Sequence, residues 1–276
     1  MKVERTIAGV RATLADTTDV GFVPTMGALH DGHMSLVERA RAESGTVAVS
    51  IFVNPLQFAA GEDLEAYPRD EERDLALCRE AGVDVVFVPS VEEMYPEGRA
   101  TKVVVGRITD VLEGAARPGH FDGVATVVAK LFNIIGPARA YFGQKDAQQL
   151  AVLRRMVADL SFPLELVVCP TVREPEGLAL SSRNAYLDEG QRTQALALHH
   201  ALQEGKLELE GTREPSAAEE KMWLSLSGAD GVLPEYAAAV DPDDFGPAEG
   251  PRVLLAVAAR VGQARLIDNL LVELKE

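Results

Sequence analysis

Short, almost wholly apolar runs alternate with helix-length segments along the first part of this chain, and few folds accommodate that alternation. Val20-Gly-Phe-Val-Pro24 is ended by a proline, and Thr46-Val-Ala-Val-Ser-Ile-Phe-Val53 is β-branched and nearly continuous in apolar character. Both read as strands covered on two faces. Residues 83–89, 140–142 and 164–169 continue the strand series. An opening helix carries Ile7, Val10 and Leu14 at helical spacing, and further helices are expected over 34–42, 71–81, 124–135 and 147–160. Gly82 stops the one over 71–81, whose Leu75, Cys78 and Ala81 share a side. Strands alternating with helices imply βαβ units, and so an α/β domain on a parallel sheet. Such sheets bind ligands beyond the carboxyl ends of their strands. The segments after Pro24, Val53, Phe142 and Cys169 are therefore where chemistry is sought.

Beyond Pro170 the pattern changes. Helices are expected over 188–204 and 216–226, then strands over 233–240, 252–261 and 263–274, with 241–251 as loop. This is a smaller α+β domain. Met222, Trp223 and Leu226 read as its core, and His199 and His200 as surface or partly buried positions in mid-helix. At about 150 residues per domain, a chain of 276 residues suits two modest domains or one large one.

Charge and hydropathy narrow the partners. Lys and Arg number 27 against 43 Asp and Glu, a net charge of −16. A surface this acidic repels a phosphate backbone, so no nucleic-acid partner is expected, although a local cationic pocket for a small anion is compatible with it. No apolar run approaches the roughly 18 residues of a membrane span; the run from Val253 to Ala259 is cut by Arg260. The first residues lack a leader-like apolar core, and Cys78 and Cys169 read as buried, reduced thiols. A cytoplasmic protein without membrane contact is the expectation.

Four strand-end segments can carry chemistry. Pro24-Thr-Met-Gly-Ala-Leu-His30-Asp-Gly-His33 joins a strand to a helix. Its glycines allow close backbone approach, the helix start offers unpaired N–H groups, and two imidazoles can donate to phosphoryl oxygens as charge builds. A zinc-protease site is disfavoured, because that motif spaces its histidines four apart with a glutamate after the first. Asn54 and Gln57, in Ser50-Ile-Phe-Val-Asn54-Pro-Leu-Gln57-Phe58, are neutral hydrogen-bonding groups at the next strand end; the bland alternative is turn formation. In Phe142-Gly-Gln-Lys145-Asp146-Ala-Gln-Gln149, Lys145 can neutralise a phosphate, Asp146 can accept from a ribose hydroxyl, and Gln149 lies a turn further on. The competing reading there is a simple helix cap. Ser181, Ser182 and Arg183, in Leu178-Ala-Leu-Ser-Ser-Arg-Asn184, make either an oxyanion clamp or a solvated turn. His120, in Arg117-Pro-Gly-His-Phe-Asp122, reads as a loop residue that can meet the pocket.

Taken together, these segments, with Arg265-Leu-Ile-Asp-Asn269 near the C-terminus, resemble the pantoate–β-alanine ligases, or pantothenate synthetases, of the H-x-G-H nucleotidyltransferases. The resemblance runs in order through almost the whole chain. It implies a Rossmann-like, ATP- and pantoate-binding catalytic domain over residues 1–171, a C-terminal lid domain over 172–276, and a homodimer. It also implies condensation of pantoate with β-alanine through a pantoyl-adenylate, with ATP converted to AMP and diphosphate. On matching positions, Met26, Gly27, Ala28, Leu29, His30, Asp31, Gly32, His33, Gly143, Gln144, Lys145 and Asp146 would line the ATP site. Val172 would hold adenine through its backbone, and Leu180, Ser181, Ser182 and Arg183 would bind phosphates. Gln57 and Gln149, with Asn54, would hold pantoate and β-alanine, while His33, His30, Lys145 and Arg183 would be catalytic. Mg²⁺ would accompany ATP, with no assigned protein ligand; Asp74 is the one candidate. The sequence departs from the family pattern at Asp70, at Leu180 and over 241–250.

The residue chemistry agrees with that reaction. A carboxylate and a triphosphate repel each other, so cations and helix-end N–H groups must neutralise both while Gln57 and Gln149 orient the acid without trapping it as an ion pair. Two other readings remain open on the residues alone. One is an H-x-G-H nucleotidyltransferase that leaves the nucleotide on its product; the other is a non-catalytic nucleotide sensor.

Overall fold

The apolar runs become the strands of a parallel sheet. The computed structural model describes residues 1–59 and 64–275. The chain forms two compact units, Met1–Gln144 with Val152–Pro170, and Lys145–Ala151 with Thr171–Glu276.

In chain order the first part contains β1 (Lys2–Glu4), α1 (Ile7–Leu14), β2 (Val20–Thr25), α2 (Asp31–Glu43), β3 (Thr46–Ile51) and α3 (Glu71–Glu80). Then come β4 (Val85–Phe87), α4 (Val91–Met94), α5 (Leu112–Ala116), α6 (His120–Ile135), β5 (Arg139–Gly143), α7 (Ala147–Asp159) and β6 (Glu165–Cys169). The sheet order is β1-β4-β3-β2-β5-β6, with every neighbouring pair parallel. From β2 the chain builds outward through β3 and β4 on one side and through β5 and β6 on the other. The order therefore reverses between β2 and β5, which places the expected ligand crevice of a doubly wound sheet at the carboxyl end of β2.

Both faces of the sheet are covered, as the unbroken apolar runs require. Val23, Val47, Val49, Val86 and Tyr141 are buried with Leu36, Val37 and Ala40 of α2 and Cys78 of α3. Burial pushes the Cys78 thiol up to about 11, an inert residue at neutral pH. Gly123 lets α6 lie against the 3₁₀ turn Pro55–Gln57: a Cβ there would meet the Leu56 carbonyl oxygen at 2.2 Å.

The second unit contains α8 (Glu189–Thr212), α9 (Pro215–Ser227) and an antiparallel sheet β7-β8-β9, formed by Val232–Val240, Arg252–Val261 and Ala264–Glu273. Its core joins Leu198, Leu202, Leu209, Met222 and Leu226 to Leu255, Val257 and Val261.

Several expectations need correction. β1 carries no apolar signature, yet it pairs with β4 from Lys2–Val85 to Glu4–Phe87. The strand expected over 46–53 ends at Ile51, which leaves Phe52 to Asn54 as irregular chain. α6 starts at His120, so that residue opens a helix instead of lying in a loop. α8 runs to Thr212, well past the expected end. Trp223 is 44% exposed and is not core. Met222 and Leu226, four apart, share the buried face of α9, and residue 223 lies about 100° round the helix from the first of them.

Candidate active site

The segment after β2 is shaped by its backbone. Thr25 donates from Oγ1 to the Ser50 carbonyl at 2.7 Å and accepts the Gly27 N–H at 3.2 Å. Gly27 and Ala28 both adopt positive φ, 82° and 51°, and reverse the chain. A Cβ on Gly27 would meet Asp74 Oδ2 at 2.9 Å, so glycine is required for space as well as for conformation. Asp74, from α3, is 1% exposed. Its Oδ2 accepts the Ala28 N–H and its Oδ1 the Leu29 N–H, each at 2.8 Å. Burial raises the Asp74 pKa against the lowering effect of those two bonds. With one backbone N–H on each oxygen, Asp74 clamps this loop.

The loop delivers His30 as the N-cap of α2. His30 Nδ1 accepts the Gly32 N–H at 3.1 Å, so its remaining proton sits on Nε2 and points away from the helix. Asp31, Gly32 and His33 form the first turn, and the His30 and His33 ring centroids stand 4.2 Å apart at a tilt of 42°. Two imidazoles and the positive end of a helix thus face the crevice end of the sheet, an arrangement that favours anions.

Gln57 lies beside this loop. Its Nε2 reaches Met26 Sδ at 3.1 Å, and its Oε1 accepts from Asn54 Nδ2 at 3.0 Å. Asn54, 1% exposed, also donates to the Gly123 carbonyl at 3.1 Å and accepts from Tyr95 Oη at 2.8 Å and the Leu56 N–H at 3.2 Å. All of its side-chain polar capacity is spent inside the protein. The Gln57 carbonyl accepts from His120 Nδ1 at 2.8 Å and Arg117 Nη2 at 3.2 Å, while Arg117 Nη1 lies 3.1 Å from His120 Nε2. Arginine can only donate, so His120 accepts at Nε2 and donates from Nδ1. Sequence reasoning missed Tyr95, whose surroundings carry no motif, and it noticed Arg117 and His120 without their role.

In the second unit, Lys145, Ser181, Arg183, Asn184, Arg265 and Asp268 line a shallow cleft. Asp268 is already paired with Arg173, at 2.6 Å. The lining carries three cationic side chains, Lys145, Arg183 and Arg265, the last paired with Glu235 at 2.6 Å. Lys145 Nζ lies 3.3 Å from Asp146 Oδ1. Gln149 is half-buried in the first turn of α7. The segment from Val172 to Leu180 folds back on itself: the Leu180 N–H meets the Val172 carbonyl at 3.0 Å, and Arg173 bridges Ala179. Ser181 caps the turn Ser182–Tyr186 by accepting the Arg183 N–H at 3.3 Å. Gly143 and Gln144 close β5 and open the turn that carries Lys145 and Asp146.

A doubly wound sheet with an imidazole pair on a helix start at its switch point is the architecture of enzymes that handle phosphorylated nucleotides. The family model for pantoate–β-alanine ligase matches residues 2–271. The chain belongs to that family. It is a carbon–nitrogen ligase acting on pantoate and β-alanine, and the nucleotide-sensor reading is set aside. Over 278 residues it is 55% identical to the pantothenate synthetase of Chloroflexus aggregans, covering 98% of this chain and 99% of that one. It also resembles the crystal structure of pantothenate synthetase from Thermus thermophilus, with a TM-score of 0.93, 53% identity, and 98% and 99% coverage. A pantoate–β-alanine ligase from Francisella tularensis, complexed with β-γ ATP and β-alanine, gives a TM-score of 0.82 at 34% identity, with 98% and 97% coverage.

Proposed function

We propose that the chain makes pantothenate in two steps, with a pantoyl-adenylate between them. In the first, a pantoate carboxylate oxygen attacks the α-phosphorus of ATP and diphosphate leaves. In the second, the β-alanine amine attacks the activated carbonyl carbon, AMP leaves, and the amine gives up a proton. The observation that carries this reading is the His30–His33 pair on the first turn of α2, with centroids 4.2 Å apart, beside the Gln57 amide.

His30 Nε2–H and His33 donate to phosphoryl oxygens, where negative charge grows in the transition state. His30 is held in the donating tautomer by its own helix cap. Gln57 receives pantoate as a neutral partner, with Gln149 as the second amide. Met26, Gly27, Ala28, Leu29, Asp31 and Gly32 shape the ATP side of the first unit. Lys145 and Arg183 take the phosphates, with Leu180, Ser181 and Ser182 around them. Asp146 accepts from the ribose, Val172 meets adenine through its backbone, and Gly143 and Gln144 complete the nucleotide contacts. Residues 1–171 serve as the catalytic domain and 172–276 as the lid domain.

Mg²⁺ would arrive on the triphosphate, since it commonly binds through substrate phosphates and keeps several waters. Among the described residues no group of three His, Cys, Asp or Glu could hold a metal. The reading includes a homodimer and a cytoplasmic setting. Among the described residues no helix is long and apolar enough to cross a membrane.

The decisive assay mixes the protein with pantoate and ATP, first without and then with β-alanine. Diphosphate release that needs pantoate, followed by AMP and pantothenate when β-alanine is added, is the expected result. Formation of ADP, or diphosphate release indifferent to pantoate, would overturn the mechanism.

A further inference from the structure

The Arg265-Leu-Ile-Asp-Asn269 segment has no part in the chemistry above, yet it carries the two buried polar side chains of β9. Asp268 is 4% exposed and Asn269 5%. Polar groups buried at this depth are costly unless their partners are complete. Here the partners form a chain that ends at Lys145. Arg173 grips Asp268 through both guanidinium ends, at 2.6 and 2.8 Å, and also donates to the Gly177 carbonyl at 3.0 Å and the Asn269 carbonyl at 3.3 Å. Asp268 Oδ1 accepts the Asn269 N–H at 2.8 Å. Asn269 Nδ2 in turn donates to the Lys145 carbonyl at 2.7 Å, across 124 positions of sequence.

We propose that Asn269 is a positioning residue for adenylation: its amide fixes the Lys145 peptide, and so the direction from which the Lys145 ammonium meets a nucleotide phosphate. This rests on the reading above that Lys145 binds phosphate. Lysine is a point charge on a flexible four-carbon stem. Where its peptide stands decides which part of the cleft the ammonium can reach, and misplacement by about 1 Å can cost roughly 10²-fold in rate. The Arg173–Asp268 pair holds β9 against the segment from Val172 to Leu180 and keeps Asn269 in register.

The test is a double-mutant cycle on the full chain, read by single-turnover adenylate formation from ATP and pantoate. Asn269→Ala is expected to slow adenylation by about tenfold, the scale of one lost buried hydrogen bond, with pantoate affinity nearly unchanged and the protein still folded at the assay temperature. In a Lys145→Ala background the same change is expected to cost less than about twofold, because Asn269 acts through Lys145. Should Asn269→Ala fold poorly, Asn269→Leu keeps the branched outline without a donor and is compared in both backgrounds. An equal factor in the two backgrounds, or no loss in the parent, would overturn the inference and leave the role of Lys145 standing. Unchanged adenylation in Lys145→Ala alone would overturn that role and the inference together.

Discussion

Asn54 Nδ2 stands 3.0 Å from Gln57 Oε1, so the carbonyl end of the Gln57 amide is already occupied and its NH₂ end is turned to Met26. The Gln57 amide, proposed above to receive pantoate, is thus aimed by a neighbouring side chain. Asn54→Ala is expected to raise the KM for pantoate by roughly tenfold through loss of that aim, while the KM for ATP moves less than about twofold. Gln57→Ala should show the same split more strongly. Equal losses for both substrates in steady-state kinetics would mean a folding defect instead.

His33 lies in the first turn of α2 with its ring 4.2 Å from that of His30. A donor that matters mainly in the transition state affects rate more than ground-state binding. His33→Ala is expected to keep ATP affinity within a few fold and to lower single-turnover adenylation by about 10²–10³. An unaltered single-turnover rate would remove His33 from its role.

Asp74 is a loop clamp, with each carboxylate oxygen on a different backbone N–H. Asn in its place presents an NH₂ to one of those N–H groups and leaves it unsatisfied. Asp74→Asn is expected to destabilise the protein by about 1–3 kcal/mol, measured by denaturant unfolding. It should also slow adenylation, because the segment from Met26 to His33 loses its anchor. A variant as stable and as active as the parent would show that the clamp is dispensable.

His199, half-buried on α8, sits where a Cβ on Gly177 would fall 2.3 Å from its ring. Burial, and then the nearby Arg173 charge, lower its pKa. The sign follows from linkage. Below the ordinary histidine pKa of about 6.5, the unfolded chain takes up a proton more readily than the folded one, so stability falls as pH drops from there toward the lowered value. His199→Asn is expected to lose less melting temperature than the parent between about pH 7 and pH 5. Parallel acid limbs in the two melting series would count against it.

Much of this protein was legible from residue order. The continuous apolar character of 20–24 and 46–53 has one economical outcome, burial on both faces of a parallel sheet, and strands lie there at Val20–Thr25 and Thr46–Ile51. The motifs at strand ends followed from the same logic. β1 escaped because three residues, Lys2 to Glu4, have no pattern of their own and become a strand only by pairing with β4. Trp223 misled because composition suggests burial while helical phase decides it.

Sequence alone determined which residue types were available at each strand end, and through them the family and the reaction, because side-chain chemistry is written locally. Only the tertiary structure decided how those residues are held. Asp74 became a clamp, Asn54 a support for Gln57, His120 a donor to the Gln57 carbonyl and Asn269 a brace for Lys145. Apart from Asn54 and Gln57, three apart in one turn, these are hydrogen bonds between residues whose spacing in the chain carries no periodic signal, and a donor meets its acceptor only once the backbone has been packed.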